Sequence, residues 1–117
     1  MSDFVQVDIE TEIVRLNSLL EHATQLMAKR VRERAECRVR HKVAYARAYL
    51  GASGAVEERK QTAVLTVENE LRALEVAEAV TDAAQEAGRN LREQLQGLRS
   101  INANHRHLLI NATGVGG

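Results

Sequence analysis

The side chains best placed to do chemistry stand together between Lys29 and Arg47, where eight are basic and two acidic. On a helix, Arg30, Arg34, Arg38 and His41 recur at four- and three-residue steps and form one ridge. Lys29, Arg40 and Arg47 form a second ridge on the neighbouring face, with Arg32 and Lys42 beside the apolar seam. A stripe of this kind suits phosphate: it would dock along a nucleic-acid backbone with an affinity that falls steeply with salt. The competing reading is a solvated face matched within the chain by Glu70, Glu75, Glu78, Asp82 and Glu86, and locally by Glu33 and Glu36. The spacing predicts that the ridge centred on Arg34 points away from the seam, where a partner can reach it. Only Tyr45 and Tyr49 lie nearby to stack on bases, which argues against sequence-specific readout of a single strand.

The other reactive residue types carry less. His105 and His107 are two apart, so on a helix they face different directions. No cysteine or carboxylate cluster joins them, and they read as a polar helix end with no metal site. Cys37 has many basic neighbours but no recognisable base or orienting acid, and reads as a structural thiol. A Gly-rich phosphate loop, HExxH, GxSxG and a catalytic carboxylate pair are all lacking, and Gly51-Ala52-Ser53-Gly54 has neither a preceding strand nor a following Lys-Ser/Thr. No catalytic residue and no cofactor is assigned, and an enzyme is not expected.

The elements that must position these residues are helices. The chain lacks proline and tryptophan, its only aromatics are Phe4, Tyr45 and Tyr49, and Ala, Leu, Glu and Arg dominate. One cysteine excludes an internal disulfide and suits a reducing compartment. The opening MSDFVQVDIE has no signal-peptide pattern, and no apolar run approaches the ~18 residues a membrane span needs. A cytoplasmic protein without a membrane partner is expected.

Residues 1–7 read as a short lead, with Phe4, Val5 and Val7 packing back onto the body. A first helix is expected over about 8–50, capped by Asp8. Its seam starts through Ile9, Ile13, Leu16, Leu20, Ala23 and Met27. At Arg30 a strict seven-residue repeat would bring a charge inward, so the apolar line is expected to step through Val31, Ala35, Val39, Val43, Ala46 and Leu50, a stutter. A turn follows at 51–54, with Gly51 suited to the left-handed position. A short helix over about 55–65 comes next, and Thr66 either caps a fresh start or lies within a continuous helix. The last helix is expected over about 67–108, with its seam at Val67, Leu71, Leu74, Ala77, Val80, Ala84, Ala87, Leu91, Leu95, Leu98 and Ile101. It runs through Gly88, and a frayed tail follows at 111–117.

Charge comes in blocks. Residues 1–28 hold one basic and five acidic groups, net −4; 29–50 hold eight and two, +6; 51–87 hold three and eight, −5; 88–117 hold four and one, +3. Folding back at 51–54 sets every block beside one of opposite sign, whereas a parallel pairing sets like against like. Surface ion pairs contribute only ~0–1 kcal/mol each, so they select register rather than supply stability. The expected fold is all-α: one domain, a long antiparallel helical hairpin. Its second seam is rich in alanine and buries little area, so a homo-oligomer is expected, most simply a dimer forming a four-helix bundle. Ala44, Ala48 and Tyr49 on the first helix, and Val64, Val76 and Ala83 beyond it, are the candidate contacts.

The segments Tyr45-Ala46-Arg47-Ala48-Tyr49-Leu50, Gly54, Val56-Glu57-Glu58-Arg59-Lys60, Leu91-Arg92, Leu95 and Leu98-Arg99-Ser100 give the chain its one resemblance. It resembles small all-helical proteins encoded by bacteriophages of actinobacteria, over roughly the middle and the C-terminal third. Such genes often sit among recombination and replication functions, so the resemblance implies an accessory role on DNA in a host bacterial cytoplasm. The arginine run from Arg30 to Arg40 departs from that pattern, and no catalytic residue carries over. Two functions are therefore expected. One is an oligomeric accessory factor that grips nucleic acid with a basic helix face; the other is a protein-interaction module, an adaptor or inhibitor, that binds no nucleic acid.

Overall fold

A computed structural model describes residues 2–113, with side chains from Gln6 to Asn111. The described residues form three helices and no strand: α1 (Ser2–Gly51), α2 (Val56–Thr66) and α3 (Glu68–Thr113). α1 starts six residues before the expected Asp8 cap, and Asp8 is an exposed interior residue. Neither proline nor glycine stands before it to stop the helix, and Gln6 Nε2 donates to Glu10 Oε1 at 2.8 Å, one turn on. Val7 is exposed rather than packed back; Phe4 and Val5 lie outside the described side chains. α3 extends past the expected end near residue 108, and of the proposed tail only residues 114–117 lie outside the described residues.

The turn also differs from expectation in one residue. Gly51 is still helical, and Gly54 takes the positive φ of 105°. A Cβ at Gly54 would run into the Glu58 carboxylate, so both the backbone and the space there favour glycine. Arg59 Nε donates to the Gly54 carbonyl at 3.1 Å and closes the turn. Glu57 and Glu58 in the first turn of α2 complement its dipole, while Ala55 at the N-cap gives no side-chain bond.

Thr66 ends α2 rather than capping α3. Its hydroxyl donates back to the Thr62 carbonyl at 2.7 Å, and Thr62 does the same to Glu58 at 2.9 Å, a bonding pattern that bends helices. Only Val67 leaves helical geometry (φ −102°, ψ 23°); its N–H still bonds Ala63 O, and Leu71 N–H bonds Val67 O. α3 then crosses Gly88 unbroken.

The contacts divide the chain into two compact units. Leu26–Gln85 forms one; the chain up to Gln25 and from Glu86 forms the other. In each, α1 and α3 are antiparallel, because residue numbers on α1 rise as those of their partners on α3 fall. In the terminal unit Glu10 accepts from Arg106 at 2.6 Å, and Asn17 Oδ1 accepts from Arg99 at 3.1 Å. In the other, the Arg30 carbonyl accepts from Thr81 Oγ1 at 3.3 Å and Arg38 pairs with Glu78 at 3.9 Å. Glu10–Arg106 and Arg38–Glu78 each join charge blocks of opposite sign. The chain is a helical hairpin.

The seam between the helices follows a seven-residue repeat without interruption. On α1 it runs Gln6, Ile9, Ile13, Leu16, Leu20, Ala23, Met27, Arg30, Arg34, Cys37, His41, Ala44, Ala48, and every one of these is buried or half-buried. On the facing side it runs from Val67, just before α3, through Glu70, Leu74, Ala77, Thr81, Ala84, Gly88, Leu91, Leu95, Leu98, Asn102, His105 and Leu109, again all buried or half-buried. Steps of three and four alternate throughout, the spacing that knobs-into-holes packing requires.

This corrects the expected seam on both helices. There is no stutter at Arg30: the phase of Ile9, Ile13, Leu16, Leu20, Ala23 and Met27 continues along α1, and Leu74, Thr81 and Gly88 keep the matching phase on α3. A change of phase on α1 alone would lift its side chains out of the facing holes. Val31, Ala35, Val39, Val43, Ala46 and Leu50 are consequently exposed. On α3, Thr81, Gly88 and Asn102 take the seam places expected for Val80, Ala87 and Ile101, which are exposed. Small partners explain how arginines are accommodated: Ala77, Thr81 and Ala84 leave room for long stems whose charged ends reach water.

Candidate interaction surface

Three of the four members of the expected outward ridge lie on the seam. Arg30, Arg34 and His41 are half-buried, and only Arg38 is exposed. Arg30 has 35% of its side chain exposed and its guanidinium lies 3.1 Å from Glu33. Arg38 reaches across to Glu78. His41 lies against Tyr45 with ring centroids 6.5 Å apart, and Tyr45 stacks on Tyr49 at the same separation. The two tyrosines are half-buried beside the seam, where their flat faces are partly covered.

The second ridge is different. Lys29, Arg40 and Arg47 are exposed, as are Arg32 and Lys42. Arg40 lies 3.8 Å from Glu36, one turn back. Among the described residues Lys29, Arg32, Lys42 and Arg47 make no ion pair.

Between these cations lies what the sequence had assigned to the core. Val31 is 38% exposed, Val39 60%, Val43 41% and Leu50 80%. At 100° per residue this stripe faces almost directly away from the seam. α1 is thus inverted over 31–50, with arginine and histidine toward α3 and valine and leucine toward solvent. Arg40 borders three shallow grooves. One runs along α1 by Arg32, Ala35 and Val39; a second continues to Val39, Val43 and Arg47; the third, about 350 Å³, opens between α1 and α3 with Cys37, Val76 and Val80 on its walls. Cys37 is half-buried there.

No family model matches the chain, and neither a curated protein nor a solved structure does.

The histidines near the end of α3 separate as their spacing requires. His105 is a half-buried seam residue; His107 is exposed, with its Nε2 3.1 Å from Asn111 Nδ2. No group of three or more metal-ligating side chains gathers among the described residues, and no described helix is long and apolar enough to cross a membrane. The perturbed acid groups belong to the terminal unit. Hydrogen bonds from Arg106 and then Gln6 hold the Glu10 carboxyl below its ordinary value, and Arg15 does the same for Glu12. Both sites are open to solvent and link α1 to itself or to α3, so they serve register rather than chemistry.

The outer stripe was missed because apolar character was allowed to define the seam. The signal that locates it is extrapolation: steps of seven from Ile9 and Ile13 land on Arg30 and Arg34, and steps of seven from Val67 land on Thr81, Gly88 and Asn102.

Proposed function

We propose that the chain is a non-enzymatic helical interaction module that acts by docking the outer face of α1, Val31 to Leu50, against a protein surface. The observation that carries this reading is the inversion of α1. Four large apolar residues point to solvent while Arg30, Arg34 and His41 occupy the seam. Contiguous exposed apolar surface on a small protein marks interaction sites, and a ring of cations around it adds selectivity for an acidic partner. The double variant Val39→Arg, Val43→Arg tests it through circular dichroism and urea unfolding. The expected result is unchanged helicity and a midpoint that moves by less than about 0.5 kcal/mol in stability, since both side chains are solvent-facing. Loss of helicity would mean that the stripe is the internal seam, and would sink the reading.

A second reading is supported by the unpaired cations Lys29, Arg32, Lys42 and Arg47. In it, the protein is an oligomeric accessory factor in DNA recombination or replication, encoded by a phage and working in the host cytoplasm. The exposed ridge of Lys29, Arg40 and Arg47, with Arg38, carries the phosphate contacts, while Arg30, Arg34 and His41 serve the hairpin. It requires binding to duplex or single-stranded DNA at low salt that weakens steeply as salt rises. Charge reversal at Arg40 and Arg47 should remove that binding with helicity intact. No binding at low salt disposes of it.

A further inference from the structure

We propose that the groove beside Arg92 and Arg99, in the terminal unit, is a separate docking site that takes an acidic amphipathic helix of another protein. The outer α1 stripe belongs to the other unit, and this site does not rest on it.

The site begins as a ladder of arginines. Arg92, Arg99 and Arg106 stand seven residues apart on α3, each directly after a seam residue. α1 meets them with rungs at the same spacing. Glu10 accepts from Arg106 at 2.6 Å and neutralises it. Asn17 accepts from Arg99 at 3.1 Å but brings no charge. One further step of seven sets Thr24 against Arg92, and Thr24 Oγ1 donates instead to the Leu20 carbonyl of its own helix at 2.9 Å. Neutralisation therefore stops after one rung. Among the described residues neither Arg92 nor Arg99 makes an ion pair. In the same unit Glu12 is held by Arg15 and Glu86 by Arg89, while Asp8, Glu21 and Glu93 pair with no cation.

The two arginines border a groove of about 540 Å³. Its floor is apolar: Leu95, which is 1% exposed, and Leu20 from α1. Ser100 and Ala103 continue the wall with small side chains, and no carboxylate lines it. A leucine floor beneath two uncompensated guanidinium groups suits a ligand that is apolar in the middle and anionic along one edge. Its anions should stand about 10.5 Å apart, the rise of seven helical residues. An amphipathic helix with a seven-residue repeat meets both conditions, with a carboxylate for each arginine and leucine between them. Carboxylates can bond guanidinium groups through two parallel hydrogen bonds, which fixes register as well as sign. From Arg92 to Ala103 the site is about 16 Å long, or three turns, and its small residues let a third helix approach closely. A phosphate backbone would satisfy the arginines but leave the leucines uncovered, so the floor favours protein over nucleic acid.

The probe is a labelled helical peptide of about three heptads with glutamate at every seventh position and leucine between, compared with a twin that has lysine for glutamate. Fluorescence anisotropy with the full-length protein should show binding of the glutamate peptide and none of its twin. Arg92→Glu should weaken that binding at least about tenfold. It should leave helicity unchanged, because Arg92 is exposed and holds no ion pair. Adding Arg99→Glu should reverse the preference toward the lysine peptide. The Val39→Arg, Val43→Arg protein should bind the glutamate peptide as well as the parent does. Loss of binding in that protein but not in Arg92→Glu would overturn the placement of the site. Equal affinity for the two peptides, or binding of neither, would overturn the proposal. So would a short DNA duplex that binds more tightly than the glutamate peptide and is lost on Arg92→Glu.

Discussion

Replacing Arg30 and Arg34 together by leucine should stabilise the hairpin, although it removes two charges from a basic segment. Arg30 has about two-thirds of its side chain covered, and Arg34 is half-buried. Full burial of a leucine contributes about 1.5–3 kcal/mol, so a site covered to this degree returns about 1–2 kcal/mol. Against that stand the exposed Arg30–Glu33 pair, about 0.3–0.5 kcal/mol, and the burial that the arginine stems already provide. The net expectation is a gain of about 1 kcal/mol for the pair, which are neighbours and need not add. Urea unfolding followed by circular dichroism reads it, at one protein concentration because association shifts the midpoint. Val39→Leu, on the outer face, is the control and should move a monomeric hairpin by less than about 0.5 kcal/mol. A lower midpoint in the double variant, or a larger gain from Val39→Leu, would refute the placement of the seam.

Three further outcomes follow from the same geometry. Gln6 and Asn102 occupy apolar places in the repeat and bond each other, while Gln6 Oε1 is buried without a partner; Gln6→Leu with Asn102→Leu should unfold at higher urea than either single change, each of which orphans a polar group at about 1–3 kcal/mol. Gly88→Ala should stabilise by about 0.5–1 kcal/mol, since the new methyl meets only the flexible end of Arg92, whereas Gly54→Ala should destabilise by roughly 1–2 kcal/mol through its positive φ. Glu10 is more acidic in the folded chain because Arg106 and Gln6 donate to it, so its contribution is complete above the ordinary carboxylate range and disappears as pH falls through the lowered value; Glu10→Gln should flatten that part of the acid limb of a stability–pH curve, by a small amount because solvent reaches the pair.

The antiparallel hairpin was legible in the charge blocks, and Arg38–Glu78 and Glu10–Arg106 are the pairs that express it. Local signals failed where two rules disagreed. At Arg30 residue polarity pointed one way and the seven-residue repeat the other; packing of a continuous helix against α3 obeys the repeat. The same conflict recurs at Val80 and Thr81, where the hydroxyl is satisfied by the Ala77 carbonyl at 2.7 Å and so enters the seam at little cost. Asp8 failed as a boundary because a capping residue marks a helix start only when something prevents the preceding turn, and Ser2 to Val7 contain no such residue. The docking stripe could not be separated from a core stripe by composition, since both are valine, alanine and leucine. Only the phase of the repeat distinguishes them.

If the outer face of α1 engages protein and not nucleic acid, the mass of the full chain in solution reports it. Size-exclusion chromatography with light scattering, run alone and with a short duplex or single strand at low salt, reports association and nucleic-acid binding together. The expected mass is the same with and without either nucleic acid, whatever the association state of the 13.0 kDa chain alone. A mass that rises when DNA is added would contradict docking to protein alone.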